Sequence, residues 1–191
     1  MQKLSPELFW EEFATYLRNK INSTPDWQSL YSSNKKWTLF MKKTLKSLGK
    51  SLGYTNKGEV ACEYYKIDTS YYKYASKDRK YEDCDWDFEV AIEYENNPKT
   101  WFEEFIKLIH INCRLKVIIT YHNYQNTSEA ISLDSKLRIA EDLYQKRKYK
   151  QPNDNWLIII GPTKEKLKED FIAFKIENGK FIPLDEQKII K

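Results

Sequence analysis

Hydrophobic residues along the chain recur with two periods, and the changes between them mark out the elements. Behind Ser5-Pro6, an N-cap followed by the residue best tolerated at a first helical position, Phe9, Phe13, Tyr16 and Leu17 are spaced three to four apart, predicting a helix of about four turns. Trp37, Met41, Leu45, Leu48 and Leu52 repeat at the same period up to Gly49 and Gly53, so a second helix over 35–52 buries one stripe and exposes its lysines. The stretch EVACEYYKIDTSYYKY at 59–74 is rich in Tyr, Val and Ile without helical periodicity and reads as two strands with a bend. Beyond a polar loop, residues 87–95 alternate strictly. Phe88, Val90, Ile92 and Tyr94 face one way, and Asp87, Glu89, Ala91, Glu93 and Glu95 the other.

Asn97-Pro98 opens a helix over 98–112 with Trp101, Phe105, Leu108 and Ile109 on one side, leading into the buried-strand run LKVIITY at 115–121. Strand, helix, strand in that order implies a right-handed parallel crossover. A helix over 128–148 carries Leu133, Leu137, Ala140 and Tyr144 on one face, and WLIIIG at 156–161 is a further buried strand. The last segment, DFIAFKIENGKFIPL, reads as a hairpin turning at Asn178-Gly179, which tolerate positive φ. The expected architecture is α/β: a mixed β-sheet flanked by helices and finished by a C-terminal β-hairpin.

Composition narrows the class. With 191 residues, six Trp and 15% aromatics the chain has material for the core of a single domain, which excludes disorder over most of its length. No apolar run approaches the ~20 residues of a membrane span, and residues 1–10 contain Lys3 and Glu7 and no signal-peptide core, so a cytoplasmic protein is expected. Cys62, Cys84 and Cys113 lack CxxC spacing and only His110 and His122 accompany them, which argues against a disulfide framework, a zinc ribbon or histidine-based nucleophilic catalysis. His110 is expected to pack on its helix.

The net charge of +4 is a cancellation. Between residues 27 and 58 there are seven lysines and no acid; between 82 and 104, nine carboxylates face Lys99 alone; between 136 and 150, six basic residues outnumber two acidic ones. Carboxylates at i and i+2 of a strand lie only ~6–7 Å apart and repel one another, so the acidic face needs a partner from elsewhere. A divalent cation and a neighbouring lysine surface are equal candidates on charge alone.

The segment AIEYEN at 91–96, preceded by YKIDTSYY at 65–72 and followed by a helix and LKVIITY, resembles the PD-(D/E)xK superfamily of restriction-endonuclease-like nucleases. The similarity of element order covers about 85 residues. It implies a nuclease-like core over 35–121, with residues 1–34 as an N-terminal helical extension and 122–191 completing the sheet. It also implies metal-binding carboxylates: Asp68 matches the family Asp, Glu93 the Glu, and Glu95 the position usually held by Lys. Asp87 is a poorer match for the Asp, because it shares a strand with Glu93. Where the family lysine orients water, Glu95 or Lys107 of the following helix stands in. Glu63 is an additional candidate, weighed against a solvent-facing reading, and Asp87 and Glu89 are read as flanking surface.

The resemblance therefore implies a Mg²⁺-dependent DNA endonuclease, with Mn²⁺ as substitute, serving restriction or phage defence. Lys42, Lys43, Lys46, Lys50, Arg147 and Lys148 are its candidate phosphate-contacting residues. RNA is the alternative substrate, and a homodimer would suit cutting both strands. The rival readings are a catalytically weak or inactive nuclease-fold protein that binds nucleic acid or a partner protein, and a metal-free scaffold whose acidic strand docks a basic partner.

Overall fold

Seven strands pair side by side in the order of the chain in a computed structural model that describes residues 4–54, 60–64, 66–74, 86–97, 100–121, 133–147, 154–162 and 169–190, with the side chains of 62–64, 74 and 86 excepted. The strands are β1 (Val60–Tyr64), β2 (Ile67–Tyr74), β3 (Trp86–Glu95), β4 (Leu115–Tyr121), β5 (Asn155–Gly161), β6 (Ile172–Glu177) and β7 (Lys180–Pro183). β1, β2 and β3 form an antiparallel meander, β3, β4 and β5 run parallel, and β6 and β7 return antiparallel. The described helices are α1 (Pro6–Asn22), α2 (Trp27–Ser32), α3 (Asn34–Ser51), α4 (Trp101–Ile109) and α5 (Leu133–Lys146). The expected mixed sheet and terminal hairpin are present, and the hairpin turns where Asn178 and Gly179 take φ of 52° and 78°.

Alternation along the strands builds two cores. On one face Val90, Ile92, Tyr94, Leu115, Val117, Ile119, Leu157 and Ile159 meet α1, α2 and α3; on the other Ala91, Ile118, Trp156, Ile158 and Ile160 meet α4 and α5. α1 starts as predicted, with Ser5 Oγ accepting the Leu8 N–H at 3.2 Å and Pro6 at the first position. It is no extension. Phe9, Trp10, Phe13 and Leu17 are buried, and the helix packs on α3, β5 and β6. Among the described residues no helix is long and apolar enough to cross a membrane.

Two local expectations change and one falls outside the described residues. α2 carries too short a pattern to register as a helix. Pro98 lies outside the described residues, and the helix that follows is described from Trp101. The strict alternation of β3 breaks at a bulge: Tyr71 faces Val90 while Tyr72 faces Phe88, leaving Glu89 as the extra residue. Phe88 thereby packs with the α4 core rather than with Val90.

Gly49 sets how closely α3 lies on the sheet. A Cβ there would stand 2.6 Å from Tyr71 Cε1 and 2.8 Å from Val60 Cγ2, and Tyr71 has little room to yield because its hydroxyl donates to Leu45 O at 2.6 Å. Gly49→Ala gains about 1 kcal/mol of helix propensity but overpacks this contact at a cost of roughly 1–3 kcal/mol. The variant is expected to be less stable than wild type in urea unfolding; a gain in midpoint would show that α3 is free to shift.

Candidate functional site

β2 and β3 pair with Thr69 opposite Ile92, so Asp68, one step further, comes to the strand end that carries Glu93. Its Oδ2 accepts the Tyr94 N–H at 2.9 Å, and its Oδ1 lies 3.6 Å from the Lys42 ammonium of α3. The meander therefore brings Asp68 and the Glu-x-Glu segment together as expected from sequence.

Glu93 sits in a row across the sheet with Ile118 and Ile158, on the face that α4 covers. It is only 1% exposed. Burial pushes its carboxyl up to about 8, against the pull of Lys107, with Glu104 and Asp68 adding to the rise. Lys107, projecting from α4, answers with three contacts: Glu93 Oε1 at 2.8 Å, Glu104 Oε2 at 2.5 Å and the Lys66 carbonyl at 2.9 Å. The bond to the Lys66 carbonyl is a well-angled hydrogen bond, whereas both carboxylate contacts are ionic in character, since neither Glu93 Oε1 nor Glu104 Oε2 has one. Burial draws the Lys107 ammonium down, but Glu104 and Glu93 together lift it above its ordinary value. Lys66 reaches this arrangement from the turn between β1 and β2, where it takes a φ of 63°.

Glu95 is half-buried at the end of β3, and its Oε1 accepts the Asn97 N–H at 2.6 Å. Among the described residues no three His, Cys, Asp or Glu side chains converge as a metal-holding group. Asp68 and Glu93 are oxygen donors of the kind that a hard cation takes, though here the Asp68 oxygens face the Tyr94 N–H and Lys42, and Glu93 Oε1 faces the Lys107 ammonium.

Several other candidates are placed differently from expectation. Glu89 is not surface: it is 5% exposed and paired with Arg114 at 2.8 Å, with Lys73 further off at 3.9 Å. Asp87 is exposed, as read from sequence. Arg147 does not face phosphate. Its side chain is 5% exposed, paired with Asp154 and stacked 3.8 Å from the Tyr144 ring, and Asp154 also takes the fully buried Lys116 at 2.6 Å. A basic run on a helix therefore contributes a core ion pair, because its last turn docks against the start of β5. Lys42 is turned toward Asp68, whereas Lys43, Lys46 and Lys50 are exposed. The side chain of Glu63, all of Lys148 and His122 lie outside the described residues. His110 is exposed at the end of α4, not packed. Cys113 is buried, its thiol pushed up to about 12 by burial and so kept from acting as a nucleophile.

Sequence reasoning missed Glu104, Thr38, Tyr94 and Asn96 as parts of the site. Glu104 had a signal, standing three residues before Lys107 on one helix; the others had none. No protein family, curated protein or solved structure matches the chain.

A raised folded-state carboxyl gives stability that is fully present below its unfolded value, near 4.5, and is lost as pH rises through its folded value. Wild type is therefore expected to lose stability relative to Glu93→Gln between about pH 5 and about pH 8. Parallel urea-unfolding curves across that range would show a smaller loss in the variant; identical pH dependence would mean that Glu93 does not titrate differently on folding.

Proposed function

We propose that the protein is a Mg²⁺-dependent endonuclease with a restriction-endonuclease-like core, hydrolysing DNA phosphodiester bonds. The observation that carries this reading is the pairing of β2 with β3, which puts Asp68 on the backbone of Tyr94, next to Glu93, while α4 delivers Lys107 to the same carboxylate. The order α3, antiparallel β1 to β3, α4, parallel β4 supports it, being the order that the sequence resemblance implies. Asp68 and Glu93 would hold the metal, with Glu95 beside them. Such an ion, when bound, acidifies water and offsets charge on phosphoryl oxygens. Lys107 supplies the cation missing from the Glu-x-Glu segment. Its ammonium rests on the Glu93 carboxylate and would be the group that meets a phosphoryl oxygen.

The polyanion also needs a surface that offsets the repulsion of Asp68, Glu93 and Glu95. Lys36, Lys43, Lys46 and Lys50, spaced three to four or seven apart, line the exposed side of α3, and no acid interrupts them in the sequence. We assign DNA backbone contact to this stripe. A second reading is favoured by one observation: Lys107 is already engaged by two carboxylates and a backbone carbonyl and Glu93 is buried, the state of a nuclease fold that binds nucleic acid without cutting it.

Cleavage of plasmid DNA and of a matched RNA with Mg²⁺ or Mn²⁺ separates the two. Asp68→Asn and Glu93→Ala are expected to lower cleavage by at least about 100-fold; full activity in Glu93→Ala would sink the site assignment. DNA binding without any cleavage by wild type would favour the second reading. Replacing Lys43, Lys46 and Lys50 together by Gln is expected to flatten the slope of log binding constant against log salt by roughly 2.7, at ~0.9 per lost phosphate contact. An unchanged slope would place DNA elsewhere.

A further inference from the structure

Around Tyr94 the hydrogen bonds close a circuit whose direction is set by chemistry. The Trp37 indole, which can only donate, gives its N–H to the Tyr121 hydroxyl at 2.6 Å. The Tyr121 and Tyr94 hydroxyls are 2.9 Å apart, and Tyr94 lies 2.8 Å from Asn96 Oδ1. Asn96 Oδ1 can only accept, so the one proton of Tyr94 goes to Asn96 and the Tyr94 oxygen accepts that of Tyr121. Asn96 Nδ2 then donates to Thr38 Oγ1 at 2.5 Å, and Thr38 donates to Asn34 O at 2.8 Å. Burial pushes both phenols upward, so each keeps its proton. The path leaves α3 at Trp37, crosses the ends of β4 and β3, and returns to α3 at Thr38. With the indole at one end and a backbone carbonyl at the other, this arrangement gives every donor on the path an acceptor. The amide of Asn96 accepts from Tyr94 and donates to Thr38, and the bonds polarise one another in a single sense.

The same residues carry the candidate site. Tyr94 holds Asp68 through its backbone N–H, Glu95 lies between Tyr94 and Asn96, and Thr38 precedes Lys42, the residue facing Asp68, by one helical turn. We infer that the circuit from Trp37 through Tyr121, Tyr94 and Asn96 to Thr38 is a positioning device that holds residues 94–97 so that Asp68 and Glu95 stay in place beside Glu93. These are positioning residues, acting through the Tyr94 backbone. Their effect on cleavage rests on the nuclease reading; their hold on the Tyr94 amide does not.

The test uses three variants of the full chain. Tyr121→Phe removes the middle of the circuit but keeps the ring; Thr38→Val removes its return to α3; Thr38→Ser preserves the hydroxyl. Hydrogen exchange of the Tyr94 amide, followed by NMR, is expected to speed up about tenfold in Tyr121→Phe and Thr38→Val, the loss of one hydrogen bond's protection. It should stay at the wild-type rate in Thr38→Ser. In the cleavage assay the first two variants are expected to lose about tenfold in kcat with KM for DNA unchanged, as misplaced catalytic groups do, and Thr38→Ser to match wild type. Unchanged Tyr94 exchange in Tyr121→Phe and Thr38→Val, both shown folded by circular dichroism, overturns the inference. So does unchanged kcat in those two variants where Glu93→Ala abolishes cleavage. Wild-type cleavage by Glu93→Ala would instead remove the nuclease reading, and the amide exchange would still decide whether the circuit holds Tyr94 on Asp68.

Discussion

A carboxylate in the middle of a sheet, in line with Ile118 and Ile158, has to be neutralised or protonated, and much around Glu93 follows from that constraint. α4 buries Trp101, Phe105 and Leu108, and this docking brings Lys107, next to Leu108, over the strand. Glu104 provides a second anion from one turn earlier, which keeps the ammonium charged despite its partial burial. The turn between β1 and β2 contributes the third acceptor, with Lys66 in a conformation that L residues seldom adopt. A pair of this kind rarely adds stability. Well-packed apolar residues in its place are often neutral or better, whereas removing one partner is strongly destabilising. The fold thus keeps an arrangement that stability alone does not favour, at the point where the candidate chemistry lies.

α3 works from the opposite face. Its apolar stripe seats it on β1 and β2 through the close approach at Gly49 and the bond from Tyr71 to Leu45, and its first turns reach the ends of β3 and β4. One helix consequently does three jobs: core packing, support of the Asp68 and Glu95 segment, and display of lysines to solvent. Lys42 and Lys43 are neighbours in sequence with different roles, since a step of about 100° turns one toward Asp68 and the other outward. Arg147 illustrates the same point at α5, where docking converts an expected surface charge into a buried partner of Asp154.

Much of this was legible from local pattern. Helical and strand periods located α1, α3, the meander, the parallel strands and the Asn178-Gly179 hairpin, because each depends on which side of a short segment is apolar. The approach of Asp68 to the 93–95 segment followed as well, since a meander brings the start of β2 to the end of β3. The bulge at Glu89 was not legible; nothing in an unbroken alternation announces an extra residue, and the face to which Phe88 turns is set by pairing with Tyr72.

By itself, then, the sequence determined the layers of the fold and the strand pairing that sets Asp68 against the Tyr94 backbone, because periodicity and strand order are properties of segments a few residues long. Only the tertiary structure decided the state of the candidate-site carboxylates. Glu93 is buried and matched by an ammonium fourteen positions later in the chain, while Asp68 is held by a backbone N–H twenty-six positions away. Charge is written into sequence, but the dielectric around it and the identity of its nearest opposite charge arise only when distant segments pack, which is why one acidic strand holds a buried ion pair at Glu93, a surface residue at Asp87 and a half-buried residue at Glu95.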